Sequence, residues 1–165
     1  HFERTMADGA ASVKLLCEAA AERGLLVDMH CDESDDPLSR HIETLAFEAQ
    51  RLSHLSRITG IPSVVVALEI LPRAVNDDLP LQLARMKRGL DENWLIVGPE
   101  KQVLATLMPL GDYSTAEGYI ARLETWAQQK SGLSLAELGL FPHTLLLDAT
   151  PPGSLLKRIQ QLAHA

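Results

Sequence analysis

Apolar residues recur along the chain at two spacings, and the switches between them lay out its elements. Between residues 10 and 23, Val13, Leu15, Leu16, Cys17, Ala19 and Ala20 predict a helix that Gly24 stops. A short buried strand follows over 25–29. The polar break 32–37 ends in Pro37, a residue suited to the first turn of a helix. That second helix is predicted over about 38–56, with Ile42, Leu45, Ala46, Ala49 and Leu52 on one face, and Gly60 and Pro62 close it. Val64–Ile70 is a β-branched apolar run of the kind buried in the middle of a sheet.

Beyond it lie a loop over 71–80, a short helix over 81–88 and strands over 94–97 and 103–108. The turn Gly98-Pro99-Glu100-Lys101-Gln102 joins the two strands as a hairpin. Asp112 or Ser114 caps a helix over 115–130, and residues 133–138 form one turn. A second central strand over 144–147 and a helix over 155–163 complete the order β-α-β-β-α-β-α. The fold class is α/β: a central sheet flanked by helices and preceded by a helix-strand-helix segment. We place the boundary between residues 1–52 and 53–165.

A length of 165 residues and 46% hydrophobic composition suit one α/β domain with a smaller appendage. The formal net charge of −7 gives no broad footing for nucleic acid or an anionic membrane, so any nucleotide must be gripped locally. Cys17 and Cys31 read as reduced thiols. No apolar run reaches the ~18 residues that span a bilayer, and no signal peptide opens the chain. The expectation is a soluble cytoplasmic domain, or the cytosolic part of an inner-membrane protein. Since His1 is not an initiator Met, the chain reads as a fragment of something larger.

Candidate chemistry begins at Arg88-Gly89-Leu90-Asp91, where a guanidinium and a carboxylate flank a glycine just ahead of the hairpin. Alone, such a pair is most simply a solvated salt bridge at helical spacing. Its position before Ile96-Val97-Gly98-Pro99-Glu100-Lys101-Gln102 and the strand ending at Pro109 changes its weight. This arrangement resembles the GGDEF family of diguanylate cyclases, in which an R-x-x-D inhibitory site precedes the signature hairpin. The resemblance covers roughly residues 55–165. The departures from it point away from catalysis. Pro99 has no N–H to offer a triphosphate, Lys101 puts a cation where a metal needs a carboxylate, and the first strand ends in Ala67-Leu68-Glu69-Ile70, where only Glu69 stands near the expected metal-binding Asp.

What the resemblance leaves intact needs no metal or other cofactor. It implies that Arg88 donates to the O6/N7 edge of guanine and Asp91 accepts from its N1–H and amino group. It further implies a second arginine from the helix after the hairpin, a place that Arg122 fills. Arg122 also reads as a solvated side chain pairing with Glu117 or Glu124. The implied function is a catalytically inactive receptor for cyclic di-GMP that regulates exopolysaccharide production, with export proteins as partners.

The first segment carries a different resemblance. His1-Phe2-Glu3-Arg4-Thr5, the run from Leu26 through His30-Cys31-Asp32-Glu33 to Asp36, Ser39-Arg40 and Glu43-Thr44 resemble cytosine deaminase of the amidohydrolase superfamily. The resemblance implies His30 as a metal ligand and Glu33 as a general acid/base, making a deaminating hydrolase the alternative function. A water-activating metal needs three or four ligands, and the other barrel ligands are absent from the sequence. A (β/α)₈ barrel takes on the order of 250 residues, so this piece supplies one or two of its eight units. The remaining histidines, His41, His54, His143 and His164, form no helical pair, and Trp94 and Trp126 read as core or edge-covering residues.

Overall fold

The computed structural model of the chain describes Leu15, Glu18, Ala19, Glu22, Arg23 and residues 42–74, 78–147 and 152–164. Two compact units divide the chain, residues 1–33 and 34–165. In the first, Leu15, Glu18, Ala19 and Glu22 are helical, as the apolar spacing predicts, and Arg23 Nη1 donates to the Ala19 carbonyl at 2.8 Å. The strand expected over 25–29 lies outside the described residues.

The first described element of the second unit is α1 (Ile42–Thr59). Leu45, Ala49 and Leu52 recur every three or four residues and are buried, so this stripe docks the helix on the sheet. Gly60 ends it in the left-handed region (φ +73°), where a side chain is strained, and its N–H donates to the Ser56 carbonyl. The expected boundary between residues 52 and 53 falls inside this unbroken helix.

The sheet has four strands, β1 (Val64–Ile70), β2 (Glu92–Val97), β3 (Gln102–Met108) and β4 (Leu140–Leu146), in the order β2-β3-β1-β4 with every neighbouring pair antiparallel. Helices pack on both sides of the sheet, so both faces of β1 are covered. Val64, Val66, Leu68 and Ile70 enter one core and Val65 and Ala67 the other. The first core is roofed by α2 (Leu79–Ala84), α3 (Tyr113–Ser131) and α4 (Leu135–Leu138). The second is covered by α1 and α5 (Pro152–His164). At the start of α3, Asp112 accepts from the Thr115 amide while Thr115 Oγ1 accepts from the Asp112 amide, a reciprocal cap.

Two elements differ from the sequence expectation. The last strand, predicted over 144–147 as a second central strand, begins at Leu140 and forms an edge. Pro142 lies within it, and a residue with no N–H is tolerated where one side of the strand faces no partner. The helix predicted over 81–88 is shorter and earlier, Leu79–Ala84, because Pro80 favours its first turn and the Arg88–Asp91 turn claims the chain beyond it.

Candidate functional site

Arg88 and Asp91 close a tight turn between α2 and β2. The Asp91 amide donates to the Arg88 carbonyl at 3.0 Å, and the Arg88 amide donates to Asp91 Oδ2 at 2.8 Å. The Arg88 side chain then folds onto the same carboxylate: Nε lies 3.3 and 3.2 Å from its two oxygens, and Nη2 lies 3.2 Å from Oδ1. Lys87 Nζ donates to the Asp91 carbonyl. Asp91 is fully buried, whereas the Arg88 side chain is 47% exposed. The carboxylate thus engages Nε and Nη2 and leaves Nη1 outside the pair.

This geometry changes the role that the sequence gives Asp91. A direct contact with guanine N1–H needs an exposed carboxylate, and here the carboxylate is inside the protein, satisfied by Arg88. Its oxygens accept from the Arg88 amide and the Arg88 Nε and Nη2, so the carboxylate is satisfied without water.

Arg122 is exposed on α3, its guanidinium carbon 5.5 Å from the centre of the Tyr119 ring. Among the described residues it pairs with neither Glu117 nor Glu124, and Glu124 Oε2 instead accepts from the Leu135 amide. Tyr119 is the common neighbour of the site. Burial pushes its phenol pKa up, while its hydrogen bond with Thr106 and the Arg122 charge pull it down and the Asp91 carboxylate raises it further. Tyr119 thus has the Arg122 guanidinium over its ring and feels the charge of Asp91, which is itself paired with Arg88. His30 and Glu33 lie outside the described residues.

Near the hairpin, the residues do not fit a divalent metal. Lys101 Nζ lies 2.6 Å from Glu69 Oε1, and His143 Nε2 lies 3.2 Å from Glu69 Oε2. Burial raises the Glu69 pKa, but the hydrogen bonds and charges of Lys101 and His143 outweigh it and hold the carboxyl below the usual range. An ammonium already occupies the position where a cation would meet this carboxylate. Among the described residues, no three His, Cys, Asp or Glu side chains come together to hold a metal ion. Gly98 has a packing reason for being glycine: a Cβ there would stand 2.0 Å from the Ala163 carbonyl oxygen.

Sequence reasoning missed Tyr119, Asn93, Thr106 and the Glu69–Lys101–His143 cluster. The available signal was polarity out of place, since Asn93 and Thr106 interrupt apolar strands at positions that face the core.

A four-stranded antiparallel sheet with helices on both faces, and an R-x-x-D turn ahead of the β2–β3 hairpin, define a degenerate GGDEF-like domain. The family model of the PelD GGDEF domain matches residues 42–161, and the chain belongs to that family. Among solved structures, it is similar to PelD 158-CT from Pseudomonas aeruginosa PAO1, at 21% identity and a TM-score of 0.60, with 82% of this chain and 46% of that one covered. It is also similar to PelD 156-455 from Pseudomonas aeruginosa PA14. The apo form matches at 24% identity and a TM-score of 0.61, covering 74% of this chain and 44% of that one. The complex with c-di-GMP matches at 25% identity and a TM-score of 0.54, covering 71% and 46%. The chain thus spans less than half the length of these solved chains. No curated protein matches it. The amidohydrolase resemblance of the first segment finds no support among these matches. Among the described residues, no helix is long and apolar enough to cross a membrane.

Proposed function

We propose that this domain is a receptor module for cyclic di-GMP, with Arg88 as its principal contact. The observation that carries the reading is the asymmetry of the Arg88–Asp91 pair: a buried carboxylate holds one edge of a half-exposed guanidinium. An arginine fixed in this way has its remaining N–H groups preorganised for the two acceptors, O6 and N7, on a guanine edge. Asp91 acts first as the group that aims Arg88, and Arg122 stands by as a second cation for phosphate or for stacking on a base. A family relative solved in complex with c-di-GMP supports the choice of ligand.

The same reading makes the domain inactive as a cyclase, since Pro99 and the Lys101–Glu69 pair replace the triphosphate and metal contacts. Such a receptor regulates Pel-type exopolysaccharide production through partner proteins, on the cytoplasmic side of the membrane. We place its N-terminal limit at the start of α1, where the family match begins.

Calorimetry with cyclic di-GMP tests this reading. The wild-type chain is expected to bind, Arg88→Ala to lose binding by at least about a hundredfold, and Arg122→Ala to weaken it by about tenfold. Equal affinity in wild type and Arg88→Ala would refute it.

A further inference from the structure

Beneath the Arg88 turn, three polar side chains sit where the core is otherwise apolar. Asn93 and Thr106 are each 1% exposed and face each other across β2 and β3 in direct register. Asn93 Nδ2 donates to the Ala84 carbonyl at 2.7 Å, at the last residue of α2, where the loop bearing Arg88 begins. Thr106 Oγ1 donates to Asn93 Oδ1 at 2.9 Å. Because the threonine proton is committed to Asn93, the Tyr119 hydroxyl, 3.3 Å from Oγ1, is the donor in the remaining bond.

The bonds therefore run one way, from Tyr119 to Thr106 to Asn93 to Ala84. They connect the helix under Arg122 to the root of the Arg88 loop. A buried polar chain of this kind is satisfied in only one arrangement, since each hydroxyl or amide left without a partner carries a desolvation penalty. Apolar contacts are non-directional, whereas these bonds are directional and favour one setting of α3 and the 85–91 loop. Tyr119 stands at its end, buried, with the Arg122 guanidinium over its ring.

We infer that Asn93, Thr106 and Tyr119 are positioning residues of the nucleotide site, a buried hydrogen-bond chain that fixes the separation of Arg88 and Arg122. The inference rests on the receptor reading, because it concerns how two arginines are held to meet one ligand. None of the three side chains need touch the nucleotide.

Thr106 offers the sharpest test, since valine keeps its shape without the hydroxyl and serine keeps the hydroxyl without the methyl. In calorimetry with cyclic di-GMP on the full chain, Thr106→Val is expected to bind about tenfold more weakly and Thr106→Ser within about twofold of wild type. Once Thr106→Val has loosened the chain, the further loss caused by Arg122→Ala is expected to shrink, a non-additivity that general destabilisation does not produce. A folded Thr106→Val that binds like wild type overturns the inference, as does a Thr106→Ser as weak as Thr106→Val, which would assign the effect to the methyl group. If Thr106→Val does not fold, Tyr119→Phe removes only the terminal hydroxyl and keeps the ring beneath Arg122. It is expected to bind severalfold more weakly, and wild-type affinity there overturns the inference. Arg88→Ala in the same series separates the two claims: with Arg88→Ala weak and Thr106→Val normal, the chain is wrong and the receptor reading stands. Absence of binding by the wild-type chain removes both.

Discussion

A carboxylate with no exposure is stable as an anion only if cations or N–H groups replace its lost water, and Asp91 obtains them from the Arg88 backbone and side chain. Glu69 solves the same problem with Lys101 and His143, on the opposite face of the sheet from Tyr119. Its depressed pKa sets the sign of a pH effect. A carboxyl whose folded pKa lies below the ordinary 4.5 contributes stability that is present above that value and lost as the pH falls through the folded one. Thermal unfolding of Lys101→Gln is therefore expected to begin several degrees below wild type at pH 7, with the gap closing only as the pH falls below 4.5 and through the lowered folded value, where Glu69 becomes protonated in wild type as well. A gap that does not narrow as the pH is lowered from 4.5 until wild type itself unfolds would contradict the assignment. At this scale the sequence marked the Arg88–Asp91 pair by its charges and its place ahead of a hairpin that resembles the GGDEF signature. It did not reveal that Asp91 is buried, because the inward turn of a carboxylate depends on backbone hydrogen bonds that residue types do not specify.

Among the elements, the hairpin joins the two cores, and Gly98 lets it approach the last turn of α5. Gly98→Ala would press a methyl group against backbone atoms of Ala163, which are slow to yield. It is expected to destabilise the domain by about 1–3 kcal/mol in denaturant unfolding, while leaving cyclic di-GMP affinity unchanged in the folded protein. Wild-type stability would show that the contact is relaxed in solution. The strands and the long helices were legible because their apolar periods are strong. Val64, Val66, Leu68 and Ile70 make one unbroken apolar face of β1, Val65 and Ala67 begin the other, and α3 carries Ala116, Tyr119, Leu123 and Ala127 on one stripe. The edge position of β4 was not legible. Strand order depends on long-range pairing, and Pro142 favours an edge without saying which one.

For the molecule as a whole, the two cores are unequal in what they do. The one bounded by α1 and α5 carries the remnant hairpin and the Glu69 cluster, while the one bounded by α2 and α3 carries the arginines and the polar chain beneath them. The proposed binding residues lie on the second of these faces, and the Lys101–Glu69 ion pair lies on the first. The family could be read from the order of elements and the R-x-x-D turn, since both are local in sequence. The nature of residues 1–41 could not, because a short polar run such as His30-Cys31-Asp32-Glu33 has chemical meaning only beside ligands brought from elsewhere in a fold. The central claim is that one half-exposed guanidinium, aimed by a buried carboxylate, meets the nucleotide. Its most direct measurement is the arginine side-chain Nε–Hε NMR spectrum during titration with cyclic di-GMP. The account predicts that the Arg88 resonance moves in saturable proportion to ligand, followed by Arg122. An Arg88 resonance that stays fixed while other residues respond to saturation would contradict it.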